Sequence, residues 1–229
     1  MQKSLIVLIG GGHAAGKCTT ADLIRKEIKK LPFYSASYLD IEVVNMAKYK
    51  LEYDGKTANV DEKTALHRFR PTLFDFEALR SDLEVMVRPQ SDRAQKLILV
   101  HCLYALYDKS ICNLSHMKVY VDSDADTRLI RWIRRDVCVG VGRKLEDVIE
   151  LYLNGSRQEM ADYISPTKKR ADVIMPRGAE ANGISLIVDG LLPYIGFGKY
   201  LEHSQTIQLR PFQNERAKNQ TGNYLELNR

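Results

Sequence analysis

The sequence predicts an α/β fold, a mainly parallel sheet with helices on both faces. Three observations carry that expectation. An apolar strand runs straight into a glycine-rich loop, shorter apolar runs recur along the chain, and amphipathic helical patterns lie between them.

Residues 5–9 are a continuous leucine and β-branched run, the pattern of a strand buried on both faces. Glycines follow, and residues 19–30 then read as a helix. Further strands are expected at residues 97–102, 117–121 and 173–175. Helical periodicity occupies residues 76–87, 127–136, 145–164 and 182–195. Parallel neighbours need long crossovers, and helices of this length supply them. Residues 48–70 are polar and without period, which suits an insertion on the substrate side. A single domain over residues 1–197 and a polar tail over 198–229 is the expected organisation.

Composition narrows the class. Residues 128–144 hold six basic side chains (Arg128, Arg131, Arg134, Arg135, Arg143 and Lys144) against Asp136 alone, a local +5 that equals the formal charge of all 229 residues. Positive charge gathered at one place suits a polyphosphate, a nucleic acid or a solvated helix face. No nucleic-acid-binding module accompanies it. The four cysteines show neither metal-ligand spacing nor disulfide density, so reduced thiols in a cytoplasmic or nuclear setting are expected. The apolar run at 5–9 is too short for a signal core, and nothing approaches the ~20 apolar residues of a membrane span.

The most specific local signal is Gly11-Gly12-His13-Ala14-Ala15-Gly16-Lys17-Cys18, placed between a predicted strand and a predicted helix. It fits G-x-x-x-x-G-K, with Cys18 where serine or threonine is usual. Small residues let backbone N–H groups curl around a phosphate, the helix terminus adds partial positive charge, and Lys17 reaches the outer phosphates. The expected ATP site runs from Gly10 through Thr19. A thiol at Cys18 is a poor ligand for Mg²⁺, which prefers oxygen, so no metal ligand is assigned and Mg²⁺ binding is expected to be weakened.

The second half resembles the uridine–cytidine kinase family. Lys118-Val-Tyr-Val-Asp-Ser-Asp-Ala-Asp-Thr-Arg-Leu129 is similar to that family's K-x-F-V-D-T-D-A-D-x-R-L, and Arg131 and Arg135-Asp136 continue it. Pro166-Thr167-Lys168-Lys169-Arg170-Ala171-Asp172-Val173-Ile174-Met175-Pro176-Arg177-Gly178 is similar to P-T-K-K-x-A-D-I-I-I-P-R-G. With the loop and Pro71…Phe74-Asp75, the resemblance spans about residues 5–195.

The resemblance implies a P-loop kinase fold that moves the γ-phosphate of ATP to the 5′-hydroxyl of uridine or cytidine, with ATP and Mg²⁺ as cofactors and a nucleoside as partner. It implies catalytic and substrate roles for Arg128 and Arg131 and an ATP-side role for Arg177, with Lys168 and Lys169 nearby. A helical spacing of three puts both arginines on one face. Asp40 is the nearest match to the catalytic aspartate, with a helix N-cap as the competing reading and Asp54 as a weaker substitute. Phe69 stands at the ribose-contacting position, although it accepts no hydrogen bond. His101 stands where the family has an acid, and a satisfied core histidine is its bland alternative. Val43 replaces a tyrosine, one lid arginine is lost before Arg143, Glu150 replaces a glutamine, and the uracil-clamping hairpin has no match. These departures leave a second reading open, a nucleotide-binding protein that acts through a partner. Homo-oligomerisation is left open as well.

Overall fold

The computed structural model describes residues 4–32, 34, 39–51, 69–88, 95–140 and 142–195. Five strands form one sheet in the order β2-β3-β1-β4-β5, every neighbouring pair parallel. They are β1 (Leu5–Gly11), β2 (Leu39–Asn45), β3 (Gln95–His101), β4 (Met117–Val121) and β5 (Val173–Met175). β1 is central and buried at all seven residues, as its unbroken apolar run requires.

Alternation along β1 divides the core. Leu5, Val7 and Ile9 face a cluster built with Ile24 and Ile28 of α1 (Lys17–Lys29) and Ile187 and Leu191 of α7 (Ala181–Leu191). Ile6 and Leu8 face a second cluster with Leu79 and Leu83 of α2 (Phe76–Val87), Tyr104 and Ile164. Helices on both faces of a parallel sheet are the expected architecture. α2, β4 and β5 keep their predicted bounds.

The other helices differ in detail. α3 (Lys109–Leu114) was not expected. α4 (Ala125–Ile133) continues into a π-turn at Arg134–Val139. The expected helix over 145–164 is a continuous helical stretch made of α5 (Leu145–Leu151), a π-turn at Tyr152–Ser156, α6 (Arg157–Glu159) and a second π-turn at Met160–Ile164. Each inserted residue rotates the following side chains around the axis, and such turns concentrate at functional sites. At Gly155, inside one of them, the Phe69 ring lies where a Cβ would stand, 2.1 Å from that position.

The edge strand corrects one expectation. β2 continues five residues beyond Asp40, which is exposed at its second position and paired in register with Lys96. Asn45 ends β2 level with His101, which is itself level with Ile9 of β1. Asp40 therefore sits roughly 16 Å back along the strand, toward the amino edge of the sheet. The loop after β1 leaves from the carboxyl edge, so Asp40 serves neither as catalytic nor as substrate-binding residue there. Nor is it a helix N-cap. Asp54 and the tail over 198–229 lie outside the described residues.

Candidate functional site

Among the described residues, the phosphate loop, His101 and the α4 arginines gather at the carboxyl ends of β1, β3 and β4, where open parallel sheets bind ligands. β1 ends at Gly11, and the loop turns through Ala14, a non-glycine residue at φ 52°, before α1 begins at Lys17. The Lys17 ammonium donates to the Gly12 carbonyl at 2.6 Å, which folds it back over its own loop. Burial, reinforced by the nearby Arg128 and Arg135 guanidinium groups, lowers it to about 8. Cys18 and Thr19 are exposed on the first turn of α1.

The two arginines of α4 close on this loop from the other side. Arg128 is buried, donates through Nε to the Ser123 carbonyl at 3.0 Å, and lies against Gly12. A Cβ at Gly12 would stand 2.7 Å from that guanidinium, so only glycine leaves Arg128 its place. Arg131 reaches the Ala15 carbonyl and Ser123 Oγ, each at 3.5 Å. The segment after β5 completes the cradle, because the Gly178 amide donates to the Asp122 carbonyl at 2.7 Å. Arg177 itself points to solvent and pairs loosely with Glu180 at 3.7 Å. Lys168 is tied to Asp122 at 2.7 Å.

Next to the loop opens a cavity of about 410 Å³ with an aromatic lining that includes Phe69, Phe74, Tyr104 and Trp132. His13 joins loop and cavity. Its ring stacks on Trp132 with centroids 4.7 Å apart and planes 12° apart, and Phe69 meets its edge at 6.1 Å. His13 Nε2 lies 2.6 Å from Oε2 of Glu159, and the Tyr104 hydroxyl donates to the other oxygen. Glu159 is buried, so these partners replace its water. Burial and the Glu159 carboxylate push the Tyr104 hydroxyl far up, which keeps it a donor. Asp136, on the far wall, accepts from Arg135 and from the Trp132 indole N–H. The Arg135 bond, helped by the indole and Arg143, holds its carboxyl below the usual range.

Most sequence-derived site residues meet here: the Gly10–Thr19 stretch, Arg128, Arg131 and Phe69. Asp40 does not. His101 ends β3, buried, and burial together with Lys17 holds its imidazole below the ordinary value, hence neutral. Tyr104, Trp132 and Glu159 were not expected as site residues. Glu159 lies 146 residues from His13, and no local spacing joins them.

The donor set does not fit Mg²⁺. Cys18 Sγ lies 3.8 Å from an Asp22 carboxylate oxygen, and burial followed by that carboxylate raises the thiol. A neutral thiol is a soft, weak ligand for a hard ion. Among the described residues, no three His, Cys, Asp or Glu side chains converge to hold a metal.

Comparison with known proteins agrees with this geometry. Residues 82–182 match the model of the "Phosphoribulokinase / Uridine kinase family". The chain is 33% identical over 195 residues to "Putative uridine kinase DAS2" of Saccharomyces cerevisiae, covering 85% of this chain and 80% of that protein. It is also 33% identical over 195 residues to "Uridine kinase" of Lactobacillus helveticus, covering 79% and 90% respectively. Among solved structures, that of a "putative fructose transport system kinase" from Silicibacter sp. TM1040 superposes with a TM-score of 0.56 at 15% identity, over 77% of this chain and 91% of that one, a likeness of fold. Fold, phosphate loop and sequence relatives converge, and the chain belongs to the phosphoribulokinase/uridine kinase family.

Proposed function

We propose that this protein transfers the γ-phosphate of ATP to the 5′-hydroxyl of uridine or cytidine, a step of pyrimidine salvage. One observation carries the reading: the phosphate loop and the aromatic cavity of about 410 Å³ share a wall at His13. That volume falls in the range of small-molecule sites, and flat aromatic surfaces suit a nucleobase. Lys17 and Arg128 bring positive charge to the loop, where phosphoryl transfer needs charge stabilisation and positioning more than covalent chemistry. Uridine kinases among the relatives support the choice of acceptor.

A second reading, ATP binding without turnover, draws on the Cys18 thiol and on β2, which ends in Asn45 rather than in a carboxylate. The same experiment separates the two. The protein is incubated with Mg-ATP and a panel of nucleosides, products are resolved chromatographically, and ATP affinity is measured in parallel. UMP or CMP with equimolar ADP is expected, at a rate below the ~1–100 s⁻¹ typical of kinases. ATP binding with no nucleoside monophosphate supports the second reading.

A further inference from the structure

We propose that His13 is the catalytic proton acceptor for the attacking hydroxyl and that Glu159 positions it. This rests on the nucleoside-kinase reading above, and it answers a difficulty of that reading. Asp40 is at the wrong edge of the sheet, and Asn45 ends β2. Two carboxylates line the acceptor cavity, Asp136 and Glu159. Asp136 is already paired with Arg135 and Arg143 and accepts a hydrogen bond from the Trp132 indole. Glu159 faces His13, and His13 stands in the loop that precedes Lys17.

The geometry is that of an oriented base. Glu159 engages Nε2 at 2.6 Å, Tyr104 holds the other carboxylate oxygen, and Trp132 fixes the plane of the ring. An imidazole whose Nε2–H donates to a carboxylate carries its lone pair on Nδ1. Nδ1 has no hydrogen-bond partner among the described residues. The other charged groups of the cavity are Lys50, Arg135 and Arg143, all cations, and Asp136. In the step, the hydroxyl oxygen of the acceptor forms a bond to the terminal phosphorus of a nucleoside triphosphate, and its proton passes to Nδ1. The P–O bond to the β-phosphate breaks, and its electron pair leaves on the nucleoside diphosphate. The imidazolium is paired with Glu159 until it returns the proton to solvent.

The test measures uridine phosphorylation at saturating Mg-ATP and uridine, from pH 5.5 to 8.5, for wild type, His13→Gln and Glu159→Gln. General-base loss is expected to lower kcat of His13→Gln about 100-fold, a larger factor than any accompanying change in ATP affinity. A general base must be unprotonated to act, so wild-type kcat should decline toward acid pH, and that decline should vanish in His13→Gln. Glu159→Gln keeps the shape, loses the charge, and should lower kcat about tenfold while KM for uridine changes less. Wild-type turnover with His13→Gln equally fast and equally pH-dependent would overturn this proposal and leave the kinase reading standing. A wild-type kcat flat across the range overturns it too, even if the His13 variant does not fold. Glu159→Gln altering KM alone overturns the positioning role. Absence of any nucleoside phosphorylation by wild type removes the kinase reading, and this proposal with it.

Discussion

Lys17→Ala is expected to weaken ATP binding at least tenfold and to abolish turnover. A charge-assisted hydrogen bond to phosphate contributes about 1.5–3 kcal/mol, and about 1.4 kcal/mol is a factor of ten. Lys17 now rests on the Gly12 carbonyl, so a phosphate has only to displace a bond internal to the loop. The pH dependence has a definite sign. Free Lys17 is lowered to about 8 by burial, while a bound polyphosphate favours the ammonium and raises it. Below about 8 both states are charged and affinity is level. Above it the free enzyme loses the proton that the complex retains, so affinity falls as pH rises. Calorimetric titration of ATP at pH 7 and pH 9 checks both statements. Unchanged affinity in a folded Lys17→Ala protein would mean that nucleotide binds elsewhere.

Cys18→Ser is expected to raise turnover about tenfold while ATP affinity changes little, a gain of ~1.4 kcal/mol confined to the transition state. Cys18 is the first residue after the loop lysine, exposed on α1, with Asp22 one turn away. A hydroxyl there offers Mg²⁺ a hard oxygen, and the thiol does not. The comparison is steady-state kinetics of both proteins across Mg²⁺ concentrations. The serine variant should reach half-maximal rate at lower Mg²⁺. Identical Mg²⁺ curves would show that the thiol is not what limits the enzyme.

The parts of the site that the sequence discloses are those built from contiguous residues. β1 is buried at every position because helices cover both its faces, so its apolar run from Leu5 to Ile9 is unbroken and the glycines that follow are plain. The segments around Arg128 and Gly178 are similarly continuous, and they pack on the loop. The edge strand β2 was harder to read. With one neighbour it alternates buried Leu39 and Ile41 with exposed Asp40, and the acid reads equally as a catalytic carboxylate or a helix N-cap. The acceptor wall is illegible for another reason. His13, Trp132 and Glu159 come from the loop, α4 and α6, and only the crossing of those elements brings a stack and a buried carboxylate together. Two π-turns decide which residues of the 145–164 stretch face inward, and hydrophobic periodicity does not encode such a turn.

Trp132 is the chain's single tryptophan, and it stands where the phosphate loop meets the acceptor cavity. On the proposed reading Trp132 stands at one shared site for a nucleotide and a nucleoside. Its fluorescence, titrated first with a non-hydrolysable ATP analogue and then with uridine, reports on both halves at once. Two successive saturable changes are expected, with the first shifted at least tenfold to higher analogue concentration in Lys17→Ala. Uridine leaving the signal of the analogue-loaded protein unchanged, while calorimetry detects no uridine binding, would contradict the claim.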